Sequence, residues 1–396
     1  MLSVVKKNVN ILFVAAALSY FIQMVIIPKA ITTAVVVALG GYLIVSVVLQ
    51  QRRFHAVKLP CFVKYFLPFV LWVLLSTLWT INNNYSFALI RILLCFEFGS
   101  LVGFFLKDEQ DFVSLLKGFI FGALLSAAVV LYYQHQLIGI IRLGNEIYGS
   151  SMEFSGGLCV ASYCCLVLWK KLNSFIYIII FVILLVCSAL SGSRTALLYP
   201  IAFLALMTFI FYQRSTRILR SFIIVVVVGG VAFYSCLNVP RLYDVVGYRI
   251  EALVYNRSED GSYMERREMK EFAIEIWQEK VLFGWGCHGF AKKYEFKRHK
   301  NLYSHCDYTE VLSCYGLVGA CLWYVPFLIV FGRKRLLARA KNDWSQSFLL
   351  SILVITIIGF FTSIVFVNVK SVMLVALIFE SLSRMEKKSY VENMAV

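Results

Sequence analysis

The sequence predicts an all-α, polytopic membrane helix bundle with about 12 transmembrane helices, and three observations predict it. Hydrophobic residues make up 60% of the 396, against roughly 45–50% in soluble domains. Charged residues make up only 15%, where soluble chains carry about 25%. The apolar residues also gather into runs close to the roughly 20 residues that a helix needs to cross a hydrocarbon core, and the mean hydropathy is +0.79.

Twelve such runs fall at about 9–27, 30–49, 61–79, 86–106, 112–134, 151–169, 172–190, 194–212, 219–237, 311–332, 346–366 and 367–383. Lys6 and Lys7 ahead of the first run mimic a signal peptide. No small-residue cleavage site precedes Pro28, however, so the run reads as a retained span. With the N-terminus in the cytoplasm, 19 Lys and Arg residues fall in cytoplasmic segments. Only Lys29, Arg142, Arg194 and Lys370 fall in the opposite short loops. That bias predicts both termini inside, which requires an even number of spans. The formal charge of +16 is then a topology signal, and nucleic acid is not an expected partner.

The chain reads as a single membrane domain, 1–396, with one external insertion at 238–310 between the ninth and tenth spans. The insertion carries twelve basic and twelve acidic residues, and loops of this length are usually functional. Ser262-Tyr-Met-Glu265 has the form of a capping box. It predicts an amphipathic helix from Tyr263 to Glu279, with Met269, Phe272, Ala273, Ile276 and Trp277 on its packed face. Arg266 falls at the edge of that face, where it is either a cation aimed into a cleft or a solvated charge beside Arg267 and Glu268. Gly284-Trp-Gly286 predicts a tight turn after the helix. His305 stands at the entrance to the tenth span with Asp307 and Glu310 near it in sequence. This placement suits either a structural histidine or a general base at the membrane surface.

Ionisable residues inside spans cost roughly 2.5–3.5 kcal/mol each at the centre on insertion scales. Lys64 and Lys117 can snorkel to the cytoplasmic surface. Arg91, in the fourth run with Glu97, can snorkel outward or line an anion site. Ser191-Gly-Ser-Arg194-Thr195 forms a turn between the seventh and eighth runs, in which Ser193 can cap the next helix. The free N–H groups of that helix end and the Arg194 guanidinium attract anions. The cysteines lie mostly inside spans, and nothing in the spacing requires Cys287 and Cys306 to pair. Cys287-His288 with His305-Cys306 lacks the usual zinc spacing, so no metal is expected. There is no Walker or Rossmann glycine pattern.

These features fall together as SGSRTALL at 191–198, ERREMKEFAIEIWQEKVLFGWGCHGF at 265–290 and SHCDYTEVLSCYGLVG at 304–319. The combination resembles the bacterial O-antigen ligase and O-antigen polymerase superfamily of polytopic glycosyltransferases. That family often has His-Asn where this chain has His305-Cys306-Asp307, and the Tyr-Gly-Leu-Val-Gly run looks more like the polymerase branch. The resemblance implies transfer or polymerisation of glycan repeat units from a polyprenyl-diphosphate carrier to an acceptor hydroxyl. The reaction would be inverting and free of metal and cofactor, on the outer face of the bacterial cytoplasmic membrane. It implies Arg194 and Arg266, with Arg91 as a third, as diphosphate ligands. His305 would be the base, supported by Ser193, Asp307 and Glu310. Lipid-linked oligosaccharide and membrane lipids are the implied partners, with chain-length regulator and flippase proteins of a polysaccharide pathway. Two other readings are a ligase acting on a lipid A core or protein, and a transporter of the same lipid-linked glycan. The transporter reading predicts paired broken helices and a midplane polar site in both halves.

Overall fold

A computed structural model describes residues 10–54, 59–135, 142–211, 261–332 and 344–394, with isolated positions between 223 and 251. Every regular element among the described residues is helical. The helices are α1 (Ile11–Leu18), α2 (Lys29–Phe54), α3 (Cys61–Leu75), α4 (Ser86–Phe105), α5 (Glu109–Gln134), α6 (Asn145–Tyr148) and α7 (Ser151–Leu172). They continue with α8 (Ile176–Leu190), α9 (Arg194–Phe211), α10 (Gly261–Glu279), α11 (Gly289–Arg298), α12 (Asp307–Phe331), α13 (Trp344–Gly359) and α14 (Val369–Met394). Six of these helices are long and apolar enough to cross a membrane. The expected ninth span, 219–237, lies outside the described residues except at isolated positions.

The first run departs from expectation, because α1 is only eight residues long and turns follow it to Ile27. Its backbone finds partners locally and on its neighbours, so a continuous helix is not required. Ser19 N donates to Ala15 O (3.0 Å), Tyr20 O accepts from the Tyr148 hydroxyl (2.9 Å) and Val25 N donates to Ile147 O (2.8 Å), while the Tyr20 hydroxyl donates to Gly157 O (2.8 Å).

The described chain divides into two compact units. The first comprises residues 1–28, 104–251 and 340–348. In it α1 lies against α5 at Gly118 and Gly122, a G-x-x-x-G pair that lets backbones approach closely. A Cβ on Gly118 would stand 2.4 Å from Phe13 O, and one on Gly122 would stand 2.8 Å from Ala17 O. An Asp108–Asp111 capping box starts α5. Asp111 also accepts from Asn10, the residue that caps α1 (2.9 Å), so one carboxylate ties two helix starts together. Helix α7 is the most enclosed of the candidate spans, and its Tyr163 stacks on Phe203 at 4.2 Å.

The second unit comprises residues 29–103, 252–339 and 349–396. Its core is built on α3, whose Phe62, Phe66 and Phe69 are each 1% exposed. Phe66 and Phe69 pack on Trp323 of α12, and Phe66 also meets Phe379 of α14. Pro60 offers no side-chain cap to α3. The Glu380 carboxylate of α14 takes that place by accepting from Phe62 N (2.8 Å), which puts a negative charge at a positive helix end. Lys370, expected in a loop, is instead 1% exposed within α14.

Helix α12 is broken at Gly316, where φ is 66° and ψ is −167°. Five backbone groups around the break find partners elsewhere in the unit. Ser313 O and Cys314 O accept from Trp285 N (2.9 Å) and Gly286 N (2.8 Å). Tyr315 O accepts from the Trp72 indole (3.0 Å). Leu317 N and Val318 N donate to Val281 O (2.9 Å) and Leu282 O (3.2 Å). The 281–286 loop is thereby laced into the break. Irregular backbone is tolerated inside an apolar span only when it is satisfied within the protein in this way.

Candidate functional site

Helix α10 spans the predicted amphipathic segment and buries Met269, Phe272, Ala273 and Ile276 as the spacing requires. The predicted capping box depends on the Ser262 side chain, which lies outside the described residues; Glu265 pairs with Lys300 at 2.6 Å. The predicted turn is present, with Gly284 at φ +65° and Gly286 at +82°. Both glycines are required by close approach, because a Cβ would meet the Cys314 carbonyl at 2.5 Å or the Thr80 backbone at 2.6 Å. The turn returns the chain along α10 as α11. Pairs of α10 acids with basic residues on and just after α11 join the two: Glu265–Lys300, Glu268–Arg298, Glu275–Lys297 and Glu279–Lys293. Their order makes the helices antiparallel.

His305 follows in the short connection to α12, half-buried, with φ at +56°. A left-handed conformation is unusual outside glycine and needs support from the surroundings. The flanking residues provide it. Ser304 N donates to Glu310 Oε2 (2.7 Å) and the Thr309 hydroxyl to Ser304 Oγ (2.9 Å). The Ser304 hydroxyl in turn donates to Cys306 O (3.0 Å). Asp307 is fully buried. It accepts from Trp323 Nε1 (2.8 Å), the Tyr324 hydroxyl (2.9 Å) and Val365 N (2.6 Å), while its own N donates to Phe360 O (2.9 Å). Among the described residues neither carboxylate hydrogen-bonds to the imidazole. They hold the backbone on either side of His305 and leave its ring to Tyr303, 4.3 Å away between centroids.

Burial first, and then the Arg266 guanidinium and the Lys270 ammonium, push the His305 pKa down to about 4. Glu265 opposes them. The ring is therefore neutral near pH 7 and able to accept a proton. Arg266 and Lys270 both stand within electrostatic reach of His305. Lys270 stands one helical turn after Arg266 on the same face, an i, i+4 relation legible in the sequence.

The connection between α13 and α14 gathers the remaining groups. Lys270 Nζ donates to Phe361 O (2.9 Å), Arg91 Nε to Val367 O (3.1 Å) and the Cys306 thiol to Phe360 O (3.2 Å). Arg91 is thus half-buried and bonded to this connection. Cys287 and Cys306 are both free thiols. Burial pushes Cys287 up to about 12, and its sulfur faces the Tyr315 hydroxyl at 3.9 Å.

Arg194 and Ser193 belong to the first unit, whereas His305, Arg266 and Arg91 belong to the second. Gly192 makes the predicted reversal with φ at +64°, and Ser193, 6% exposed, occupies the position before α9. The Arg194 side chain lies outside the described residues.

No curated protein matches the chain. Residues 179–324 match the family model described as O-antigen ligase. This segment contains the SGSR turn, α10, the glycine turn, His305 and the broken part of α12. That segment is similar to the O-antigen ligase family, and the match supports the O-antigen ligase and polymerase superfamily.

Proposed function

We propose that the protein is an integral-membrane glycosyltransferase of the polymerase type. It joins glycan repeat units by transfer from a polyprenyl-diphosphate carrier to an acceptor sugar hydroxyl on the outer face of the bacterial cytoplasmic membrane. The observation that carries the reading is His305, a neutral imidazole in a backbone conformation imposed by its neighbours, beside Arg266 and Lys270. In the proposed reaction the acceptor hydroxyl gives its proton to His305 as its oxygen attacks the anomeric carbon. The glycosidic C–O bond to the carrier breaks on the opposite side, the anomeric centre inverts, and the diphosphate departs with the bonding pair. Arginine neutralises that growing charge with bidentate geometry. Arg266 fits this role, and Arg194 and Arg91 are assigned to it on the family pattern. Glu310 and Asp307 support the base through the backbone of residues 304–307, and Ser193 supports the Arg194 turn.

The reading is tested in membranes supplied with lipid-linked donor. His305→Ala and Arg194→Ala insert at wild-type levels and lose glycan transfer, and wild-type turnover by either variant would sink the assignment. A second reading, ligation to a lipid A core or protein acceptor, is favoured by the description of the matched family. The product separates the two: a ladder of repeats on the polyprenyl carrier means polymerase, and glycan on a different acceptor means ligase.

A further inference from the structure

A cleft of about 900 Å³ lies along α10 and α11. Three carboxylates on its walls, Glu265, Glu268 and Glu271, are matched by Lys300, Arg298 and Arg267. They pair one to one at 2.6, 2.5 and 2.8 Å. The walls are therefore neutral overall and dense in both hydrogen-bond donors and acceptors. Such a surface gives no net attraction for a phosphate. It suits a ligand whose groups both donate and accept, which is the property of sugar hydroxyls.

Tyr294 lies on the same cleft and is 1% exposed, its ring stacked on Phe290 at 5.7 Å and 14°. Among the described residues its hydroxyl has no hydrogen-bond partner, although Glu268, Glu265, Lys300 and Arg298 all act on it electrostatically. Its ring is buried, but its hydroxyl oxygen is not among the enclosed polar atoms left without a partner, so it opens onto the cleft as a polar anchor in a volume typical of ligand sites, roughly 300–1,000 Å³. Lys300 on the cleft wall stands five residues before His305, and Glu265, its partner there, also acts on His305, which puts the cleft wall within electrostatic reach of the base.

We propose that this cleft is a saccharide-binding subsite in which the Tyr294 hydroxyl and the flanking ion pairs hold a neutral stretch of glycan beside His305. The inference rests on the transferase reading and specifies where the sugar sits. The glycan belongs either to the acceptor or to the carrier-linked donor, and kinetics separates the two.

Three variants of the full-length protein in detergent provide the test. Tyr294→Phe removes the hydroxyl and keeps the ring stack. Glu268→Gln with Arg298→Gln removes a pair on the cleft wall. Glu275→Gln with Lys297→Gln removes a pair joining the same segments outside the cleft (3.4 Å) and serves as the control. Exposed pairs contribute little to stability, and Tyr294→Phe keeps the ring stack on Phe290, so all three fold. The probe is free oligosaccharide released by mild acid from the source cells' lipid-linked glycan, observed by saturation-transfer NMR. Wild type and the control pair bind equally, whereas the other two bind roughly three- to tenfold more weakly, the size of one or two hydrogen bonds. In transfer assays the same two variants raise KM for one substrate with kcat nearly unchanged. A raised acceptor KM identifies acceptor glycan, and a raised donor KM identifies donor glycan. Wild-type affinity in Tyr294→Phe, or an equal loss in the control pair, overturns the proposal. If wild-type membranes transfer no glycan yet the binding order holds, the transferase reading fails and the cleft stands.

Discussion

Gly316→Ala tests the broken helix directly. At φ 66° and ψ −167° the residue occupies a region essentially restricted to glycine, and forcing another residue there costs about 1–3 kcal/mol. Relief by rotation is blocked, because a Cβ would stand 2.2 Å from Leu282 O, 2.4 Å from Leu282 C and 2.6 Å from Phe283 N. All three contacts are backbone atoms that cannot swing aside as a side chain could. Moving the 281–283 segment away breaks the bonds from Leu317 N and Val318 N, each worth about 0.5–1.5 kcal/mol net. Strain and the two bonds together give a loss of about 2–6 kcal/mol. Thermal unfolding of the purified protein in detergent, followed by tryptophan fluorescence, reads the loss as a lower midpoint. Gly156→Ala is the matched control: it is helical in α7 with nothing within 4 Å of the added Cβ, so it leaves the midpoint unchanged or raises it slightly. A Gly316→Ala midpoint equal to wild type would refute the break and the lacing of the 281–286 loop into it.

Two further outcomes are expected from the site. The His305 pKa of about 4 lies below the ordinary value of about 6.5, so the base form persists as pH falls until about 4. The acidic limb of kcat/KM therefore falls near pH 4 in the wild type. In Arg266→Gln it moves up toward 6.5 with the loss of a repelling charge, and an unmoved limb would separate His305 from the reaction. Asp307→Ala orphans the Trp323 indole, the Tyr324 hydroxyl and Val365 N, each costing about 1–3 kcal/mol when left buried without a partner. It should lower the melting midpoint and activity together, whereas His305→Ala lowers activity alone. Preserved stability in Asp307→Ala would show that the carboxylate does not hold the 360–366 connection.

What could be read from the sequence was whatever depends on local pattern. The period of Met269, Phe272, Ala273 and Ile276 gave α10 its buried face, and the two glycines at 284 and 286 gave the turn. What could not be read depends on partners distant in sequence. Hydropathy treats 9–27 as one continuous helix because it cannot register that Tyr20 bonds to Gly157 or Val25 to Ile147. Lys370 looks like a loop residue because it stands near the junction of two apolar runs, yet it lies in the first turn of α14. The break at Gly316 is invisible because its satisfying groups come from Trp72 and residues 281–286. Asp307 and Glu310 look like orienting groups for a histidine two and five residues away, but their acceptor oxygens are taken up by backbone, indole and hydroxyl donors.

That last point changes what the base can do. A histidine paired with a carboxylate gains basicity from it and has its imidazolium stabilised. His305 has no such partner among the described residues, and Arg266 and Lys270 work against its protonation. In the free protein it is a weak base that is reliably neutral. An anionic diphosphate seated on Arg266 would offset the same charges that depress the imidazole, and so raise its pKa toward the ordinary value. In the proposed reaction the two events are then coupled by simple electrostatics: donor binding strengthens the base, and the negative charge released on the leaving diphosphate stabilises the imidazolium formed by proton transfer. A carboxylate on the ring would supply that stabilisation at all times, with or without donor. Using Asp307 and Glu310 to fix the backbone instead leaves His305 responsive to whatever occupies the cationic face of α10.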